Sequence, residues 1–383
     1  MYILHDLATF TMTILILIIF QMFDVLPFCS SASTATFVFG DSLVDAGNNN
    51  FLFSLSKANS PPYGIDFKPS QGKPTGRFTN GRTISDIIGE ALGGNSFPPP
   101  YLAPNVESNA THIGINYASG SSGILDATGT LFCILLQIGR VPLSEQISNF
   151  EESRRYIVNS MGEENAKKFL KKAMFSITIG SNDFINYFQP SIPFMSDEKV
   201  SPTIFQDFLI SNFSMNLQRL HKLGARKFVV VGVGPLGCIP FIRAIGLISK
   251  GKCSVEVNTL IRNYNKKLKM ELHRLNKDME PKAIFIYANS YDVFREIILN
   301  YKQHGFENAD APCCGGYFPP FVCYKGKNGN TSSVMCEDRG KYVFWDAYHP
   351  TEAANVIIAK KFLYGDPTVI SPINILHLHN YAS

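Results

Sequence analysis

Short apolar segments alternate with longer amphipathic segments along this chain. Five apolar segments of four to seven residues are each bounded by glycine, asparagine or a polar turn. This pattern is typical of strands that are buried on both faces. It predicts strands at Thr36–Phe39, Ile113–Tyr117, Phe175–Ile179, Lys227–Val233 and Ala283–Tyr287.

The stretches between the predicted strands repeat their apolar residues at helical spacing. They predict helices at Ile84–Ala91, Leu143–Ala173 with breaks, Pro202–Leu223, Val255–Leu275 and Glu352–Leu363. Alternating strands and helices favour an α/β fold in which helices cover both faces of one parallel, five-stranded sheet. Because no internal repeat or linker interrupts the pattern, we predict a single domain over residues 34–383.

The charged residues give no indication of a nucleic-acid partner. The net charge is +4, and the basic residues are scattered along the chain. The exception is the run from Lys167 to Lys172, which has the spacing of a solvated helix face. We therefore predict a small-molecule or lipid substrate and no nucleic acid.

The first 33 residues have the composition of a secretory signal peptide. Met12 to Phe23 are nearly all apolar, and Ser30 to Ser33 supply small residues for cleavage. The apolar core is short for a membrane span. No Lys or Arg precedes it, so an uncleaved anchor is the alternative. The expectation is a secreted protein with no stable membrane span after cleavage.

Cysteine usage agrees with an oxidising compartment. Of eight cysteines, Cys29 lies within the predicted signal, and six others cluster in the second half of the chain. An even number suits three disulfides. The sequence suggests a local pair and leaves the pairing of the other four open. Adjacent cysteines do not match paired zinc-ligand spacing, so no metal site is predicted. The six candidates are Cys238, Cys253, Cys313, Cys314, Cys323 and Cys336, with Cys238 and Cys253 as the local pair.

Three N-glycosylation sequons begin at Asn109, Asn212 and Asn330. Asn109 and Asn330 lie in polar, loop-like surroundings. Asn212 lies near the apolar stripe of a predicted helix, which makes it the least favourable of the three predicted sites.

Three polar turns follow the first three predicted strands. Ser42 follows the first strand, Gly120 the second and Asn182 the third. Ligands of open α/β sheets bind beyond the carboxyl ends of the strands. The three residues are therefore expected at one rim of the sheet.

These residues, with a histidine near the end of the chain, match the requirements of ester hydrolysis. A serine hydroxyl needs a base to remove its proton, and His349 has Asp346 three residues before it to orient the imidazole. The backbone N–H groups of Ser42 and Gly120 and the side-chain amide of Asn182 can stabilise an oxyanion.

The chain also contains a glycine pattern that formally matches a dinucleotide-binding motif. Residues Gly232 to Gly237 read G-x-G-x-x-G after a predicted strand. The motif requires a helix to open there, and Pro235 and Pro240 oppose one. We therefore predict no dinucleotide-binding site at these glycines.

The sequence resembles the plant-type GDSL esterases and lipases of the SGNH hydrolase superfamily, from about Phe37 to Leu363. The matching blocks are FVFGDSLVDAGNNN from Phe37, INYASGSSGILDATG from Ile115, TIGSNDFINYF from Thr178 and FWDAYHPTEAAN from Phe344. Supporting stretches are RFTNGRTISDIIGE from Arg77, LGARKFVVVGVGPLGCIP from Leu223 and APCCGG from Ala311.

The resemblance implies a flavodoxin-like, three-layer α/β/α fold and the same five site residues. It also implies hydrolysis of acyl esters through a covalent acyl-enzyme, no cofactor, and secretion to the apoplast or cell wall. One stretch departs from the family pattern. Cys133–Gln137 looks like an insertion close behind the Gly120 block, and it carries the unpaired Cys133.

Two alternatives stay open at this point. The enzyme could remove acetyl groups from carbohydrates instead of longer acyl chains, or the protein could be a catalytically silent cell-wall binding protein. The many phenylalanines are consistent with an apolar acyl pocket but are more simply explained by the core. The oligomeric state is left open.

Overall fold

A computed structural model describes residues 34–128, 139–188, 200–245, 252–317, 323 and 335–381. Three predicted features lie outside these residues: the signal peptide over residues 1–33, the Cys133–Gln137 segment and the Asn330 sequon. Within the described part of the chain, no helix combines the length and the apolar character that a membrane crossing requires.

A five-stranded sheet in the order β1-β2-β3-β4-β7 forms the centre of the fold. The first four strands are parallel, and β7 runs antiparallel to β4. A separate two-stranded sheet pairs β5 with β6 in parallel. The strands are β1 Thr36–Gly40, β2 Met174–Thr178, β3 Lys227–Val231, β4 Ile284–Ala288, β5 Asn308–Pro312, β6 Tyr342–Phe344 and β7 Ile370–Ser371.

Helices flank the sheet, and every residue of β3 is buried, as expected when helices cover both faces. The predicted long helical stretch from Leu143 divides at Gly162, which adopts a φ of 78°. The helices are α1 Ile84–Ala91, α2 Leu143–Met161, α3 Glu163–Lys172, α4 Ser181–Phe188, α5 Pro202–Lys222, α6 Pro240–Ile245, α7 Val255–Asp278, α8 Ser290–Leu299, α9 Glu352–Tyr364 and α10 Ile375–Asn380. The α/β fold class is confirmed.

A row of phenylalanines crosses the four parallel strands. Phe37, Phe175, Phe228 and Phe285 are register partners on β1 to β4, and all four are fully buried. The ring centroids of the first two neighbouring pairs lie 5.2 and 5.8 Å apart, within the range of favourable aromatic contacts. The rings of Phe228 and Phe285 are stacked, with centroids 4.2 Å apart. These phenylalanines therefore belong to the core, as predicted for the composition.

The predicted strand Ile113–Tyr117 is not a regular strand. It lies beside β1, where the Thr36 and Val38 N–H groups donate to Ile113 and Ile115 at 3.0 Å. Gly114 brings this segment so close to β1 that a Cβ atom there would lie 2.0 Å from the Thr36 carbonyl oxygen. Regular pairing is reduced to isolated bridges at Asn116. The fifth strand is β7 instead, so the expectation of five parallel strands was wrong in this respect.

The six clustered cysteines form three disulfides. The local pair Cys238–Cys253 is confirmed. The other four, which the sequence left unassigned, pair as Cys313–Cys336 and Cys314–Cys323.

The two described sequons differ in their surroundings. Asn109 is half-buried in the 3₁₀ turn Glu107–Thr111. Asn212 lies inside α5, where Phe213 and Ser214 are buried and the Ser214 hydroxyl donates to Glu271. Glycosylation of both residues stays a prediction.

Candidate active site

Ser42, His349 and Asp346 form a continuous chain of hydrogen bonds. The Ser42 Oγ lies 2.7 Å from the His349 Nε2. The His349 Nδ1 lies 2.8 Å from each carboxylate oxygen of Asp346. Ser42 sits in the turn after β1, and the other two residues lie between β6 and α9. The fold thus brings together residues that are 307 positions apart in the chain.

The turn from Asp346 to His349 holds its own carboxylate in place. The Asp346 Oδ1 accepts the N–H groups of Tyr348 and His349 at 2.9 and 2.8 Å. Burial by itself would raise the pKa of Asp346, but attraction to the His349 imidazole and these hydrogen bonds hold it below the ordinary 3.8. A carboxylate that stays ionised keeps the His349 Nδ1 protonated, which leaves Nε2 free to accept the Ser42 proton.

Asn182 and Ser42 both offer donors at this rim. Asn182 is the second residue of α4, directly after β2, and its Nδ2 donates one hydrogen to the Ser122 carbonyl at 2.9 Å. The second amide hydrogen is not used by that bond. Among the described residues, the Ser42 N–H has no hydrogen-bond acceptor.

Gly120 lies in the same region, but its N–H group is engaged. It donates to the Asp45 Oδ2 at 3.0 Å. The N–H of Ser121, which follows, has no acceptor within the described part of the chain, and Ser121 adopts a left-handed φ of 65°. The predicted role of Gly120 as an oxyanion donor stays a prediction, and it requires this N–H to turn away from Asp45.

Three buried carboxyl groups connect the turns around Ser42. Asp41, Asp45 and Asp183 are 1%, 0% and 2% exposed. Burial raises the pKa of Asp41 to about 7 and those of Asp45 and Asp183 to about 6. Asp183 accepts the N–H groups of Ile124 and Leu125 at 2.9 and 3.1 Å. Together with the Asp45 bond to Gly120, this contact ties the loop after β1, the Gly120 loop and α4 to one another.

Several contributors to the site were not predicted from the sequence. The Tyr63 hydroxyl donates to the Asp346 Oδ2 at 2.8 Å, and the Phe78 ring lies 5.2 Å from the His349 ring. The Asn49 Nδ2 donates to the Gly120 carbonyl at 3.0 Å. The RFTNGR and GNNN stretches of the family blocks contain Phe78 and Asn49, but Tyr63 lies outside those blocks and outside every predicted strand and helix.

The packing around Gly120 predicts the effect of adding a methyl group there. In Gly120→Ala, the new Cβ would lie 2.7 Å from the Phe78 Cζ and 2.8 Å from the Asn49 Nδ2. Relief of this overlap displaces a ring that packs on His349, so we expect kcat/KM to fall about 10- to 100-fold. Steady-state ester hydrolysis measures the loss.

Two further variants test this explanation. Gly89→Ala is the matched control, because a Cβ at Gly89 meets nothing within 4 Å, and its activity should equal that of the parent. Phe78→Leu replaces the ring with a smaller side chain. If the overlap causes the loss, Phe78→Leu in the Gly120→Ala background should recover part of the activity. Full activity of Gly120→Ala alone would contradict the packing explanation.

Comparison with known proteins identifies the family of this chain. The family model for GDSL-like Lipase/Acylhydrolase matches residues 36–362. GDSL esterase/lipase At5g41890 of Arabidopsis thaliana is 61% identical over 354 residues, which cover 92% of this chain and 95% of that protein. GDSL esterase/lipase At3g50400 of the same plant is 48% identical over 91% of this chain and 92% of its own length. The chain therefore belongs to the GDSL-like lipase/acylhydrolase family.

Proposed function

We propose that this protein is a secreted serine esterase that hydrolyses carboxylic esters through an acyl-enzyme on Ser42. Membership of the family identifies the chain as an ester hydrolase. The observation that carries the mechanism is the unbroken chain of hydrogen bonds from Ser42 through His349 to Asp346, with separations of 2.7 and 2.8 Å.

The geometry supports the following acylation step. The His349 Nε2 takes the Ser42 proton as the Oγ attacks the ester carbonyl, and the ionised Asp346 stabilises the imidazolium that forms. The resulting oxyanion is stabilised by the Ser42 N–H and the second Asn182 amide hydrogen, with the Gly120 N–H as the third predicted donor. The imidazolium then protonates the departing alcohol.

Deacylation uses the same groups in reverse. Water replaces the alcohol, and His349 removes a proton from that water as it attacks the acyl carbonyl. Collapse of the second tetrahedral intermediate releases the carboxylic acid and returns the proton to Ser42. No step requires a metal or an organic cofactor.

Two observations support export of the protein. The apolar stretch and small residues within residues 1–33 have the composition of a cleaved signal. The three disulfides form and persist in oxidising compartments. We propose an extracellular location, in the apoplast or cell wall, and a single catalytic domain over residues 34–383.

The substrate is proposed to be an acyl ester of a small molecule or lipid. A panel of p-nitrophenyl esters graded by chain length, together with acetylated xylan, separates this proposal from carbohydrate O-acetyl esterase activity. Preference for acetylated xylan over every longer acyl ester would favour the second activity.

Covalent labelling tests the acyl-enzyme directly. A fluorophosphonate should react with the folded protein at one site, and mass spectrometry should place the adduct on Ser42, because only a serine activated by a base attacks this probe. Ser42→Ala is the control and should remain unlabelled. Absence of labelling in folded protein would support a silent binding protein instead.

A further inference from the structure

The hydrogen bond from Tyr63 to Asp346 joins two distant parts of the chain. The hydroxyl lies 2.8 Å from the Asp346 Oδ2, across a separation of 283 residues. Burial and the nearby negative charge of Asp346 raise the pKa of Tyr63 well above 10. The hydroxyl therefore keeps its proton, and it donates to the carboxylate throughout the working pH range.

Tyr63 differs from the other donors to this carboxylate. The Oδ1 accepts two N–H groups from the turn that carries Asp346 itself, those of Tyr348 and His349. The Oδ2, which also faces the His349 Nδ1 at 2.8 Å, accepts from Tyr63. The Tyr63 hydroxyl and the imidazole thus contact the same carboxylate oxygen. A stronger hydrogen bond from Tyr63 leaves less negative charge on Oδ2 to interact with the imidazole.

Backbone contacts hold the Tyr63 segment in place without the hydroxyl. The Gly64 N–H donates to the Thr79 carbonyl at 3.0 Å, and the Asp66 N–H donates to the Asn80 carbonyl at 2.7 Å. The Asp66 carboxylate also binds Arg339 through two hydrogen bonds of 2.6 and 2.7 Å. This bidentate ion pair connects the segment to the chain just before β6.

The Tyr63 ring packs on a rigid support. It contacts the fully buried Trp345, with ring centroids 6.1 Å apart. Trp345 precedes Asp346 and packs in a small cluster with Cys313, Cys314 and Cys323, which belong to the two neighbouring disulfides. A phenylalanine at position 63 would keep this packing and lose the hydroxyl alone.

We propose that Tyr63 is a positioning residue for ester hydrolysis, whose hydroxyl orients Asp346 and limits the negative charge that the carboxylate presents to His349. This inference rests on the proposed function, in which His349 acts as the base. Without the hydroxyl, the carboxylate binds the imidazolium more strongly. Within the described part of the chain, Oδ2 then keeps the His349 Nδ1 as its one remaining partner, so the carboxylate is held less firmly in the geometry that directs Nε2 at Ser42.

The pH profile of Tyr63→Phe tests the proposal. His349 must be unprotonated to accept the Ser42 proton, so activity is lost as the pH falls and the imidazole is protonated. Asp41, in the turn after β1, also carries a charge that acts on His349, and burial raises its pKa to about 7. Asp41 is the same in the parent and the variant, so movement of the limb between the two reports the loss of the Tyr63 hydroxyl. Stronger stabilisation of the imidazolium moves this acid limb of kcat/KM to higher pH, by about one half to one pH unit. We also expect kcat to fall about 10-fold with little change in KM, because the hydroxyl bonds Asp346 at the Nδ1 end of the imidazole, whereas Ser42 lies at the Nε2 end.

Tyr342→Phe is the matched control, because Tyr342 packs against the same disulfide cluster. This variant should leave both kcat and the acid limb of the kcat/KM profile unchanged. An unchanged acid limb in Tyr63→Phe overturns the proposal, whether or not kcat falls, since a purely structural role predicts no movement.

A second measurement separates this proposal from the proposed function. If the parent protein hydrolyses no ester, the proposed function fails. NMR titration of the His349 ring protons then decides the role of Tyr63 without any activity. A titration midpoint that is higher in Tyr63→Phe than in the parent supports the coupling, and equal midpoints overturn it.

Discussion

Replacement of Ser42 by alanine is expected to lower kcat for a short-chain p-nitrophenyl ester by about 10⁶-fold. The substitution removes the attacking Oγ, which lies 2.7 Å from the His349 Nε2. Among the residues that the structure describes, no other hydroxyl or thiol is hydrogen-bonded to that nitrogen. Ser42 is half-exposed, so loss of the hydroxyl should change the folding stability little. The burst of p-nitrophenol before the steady state should also disappear.

The double variant of Ser42 and His349 tests whether the two residues act as one catalytic unit or contribute to kcat independently. We expect His349→Ala to cost about as much as Ser42→Ala, and the double variant to be no slower than either single variant, because neither group acts without the other. Thermal unfolding of each variant checks that the fold is intact. Retention of the burst in folded Ser42→Ala would show that another residue carries the acyl group.

The parts of the site that follow strands were predictable from the sequence. Ser42 and Asn182 come directly after buried strands, and parallel strands place their carboxyl ends at one rim. The pairing of His349 with Asp346 was predictable for a different reason. The two residues lie in one turn, so their contact depends on local chain geometry.

The parts of the site and of the sheet that depend on contacts between residues far apart in the sequence were not predictable. Tyr63 is in a loop without periodicity, and its partner is 283 residues away. Gly120 was expected at the same rim as Ser42, but no local pattern shows that Asp45 accepts its N–H group. The strand β7 spans two residues, Ile370–Ser371, and a pair of residues shows no alternation that could predict a strand.

Asp346→Asn is expected to lower kcat/KM about 10⁴-fold while leaving Ser42 and His349 in place. The reason lies in the two N–H groups of Tyr348 and His349 that donate to the Oδ1. They require the asparagine oxygen on that side, because the reverse orientation would set its amide hydrogens against two donors. The asparagine NH₂ group therefore takes the place of Oδ2, where it faces the His349 Nδ1 at 2.8 Å.

That placement favours the wrong tautomer of the imidazole. The Nδ1 lies 2.8 Å from both side-chain positions, but the asparagine oxygen already accepts two backbone N–H groups, whereas the NH₂ group needs an acceptor. We therefore expect Nδ1 to accept from the NH₂ group and the proton to move to Nε2, which then cannot accept the Ser42 proton. The single-turnover acylation rate measures this loss separately from substrate binding. Because the variant no longer presents a carboxylate to Tyr63, a Tyr63→Phe change made in the Asp346→Asn background should have little further effect on activity. A loss of less than about 10-fold in folded Asp346→Asn would show that His349 is oriented by other contacts, and that the carboxylate is not required to hold its tautomer.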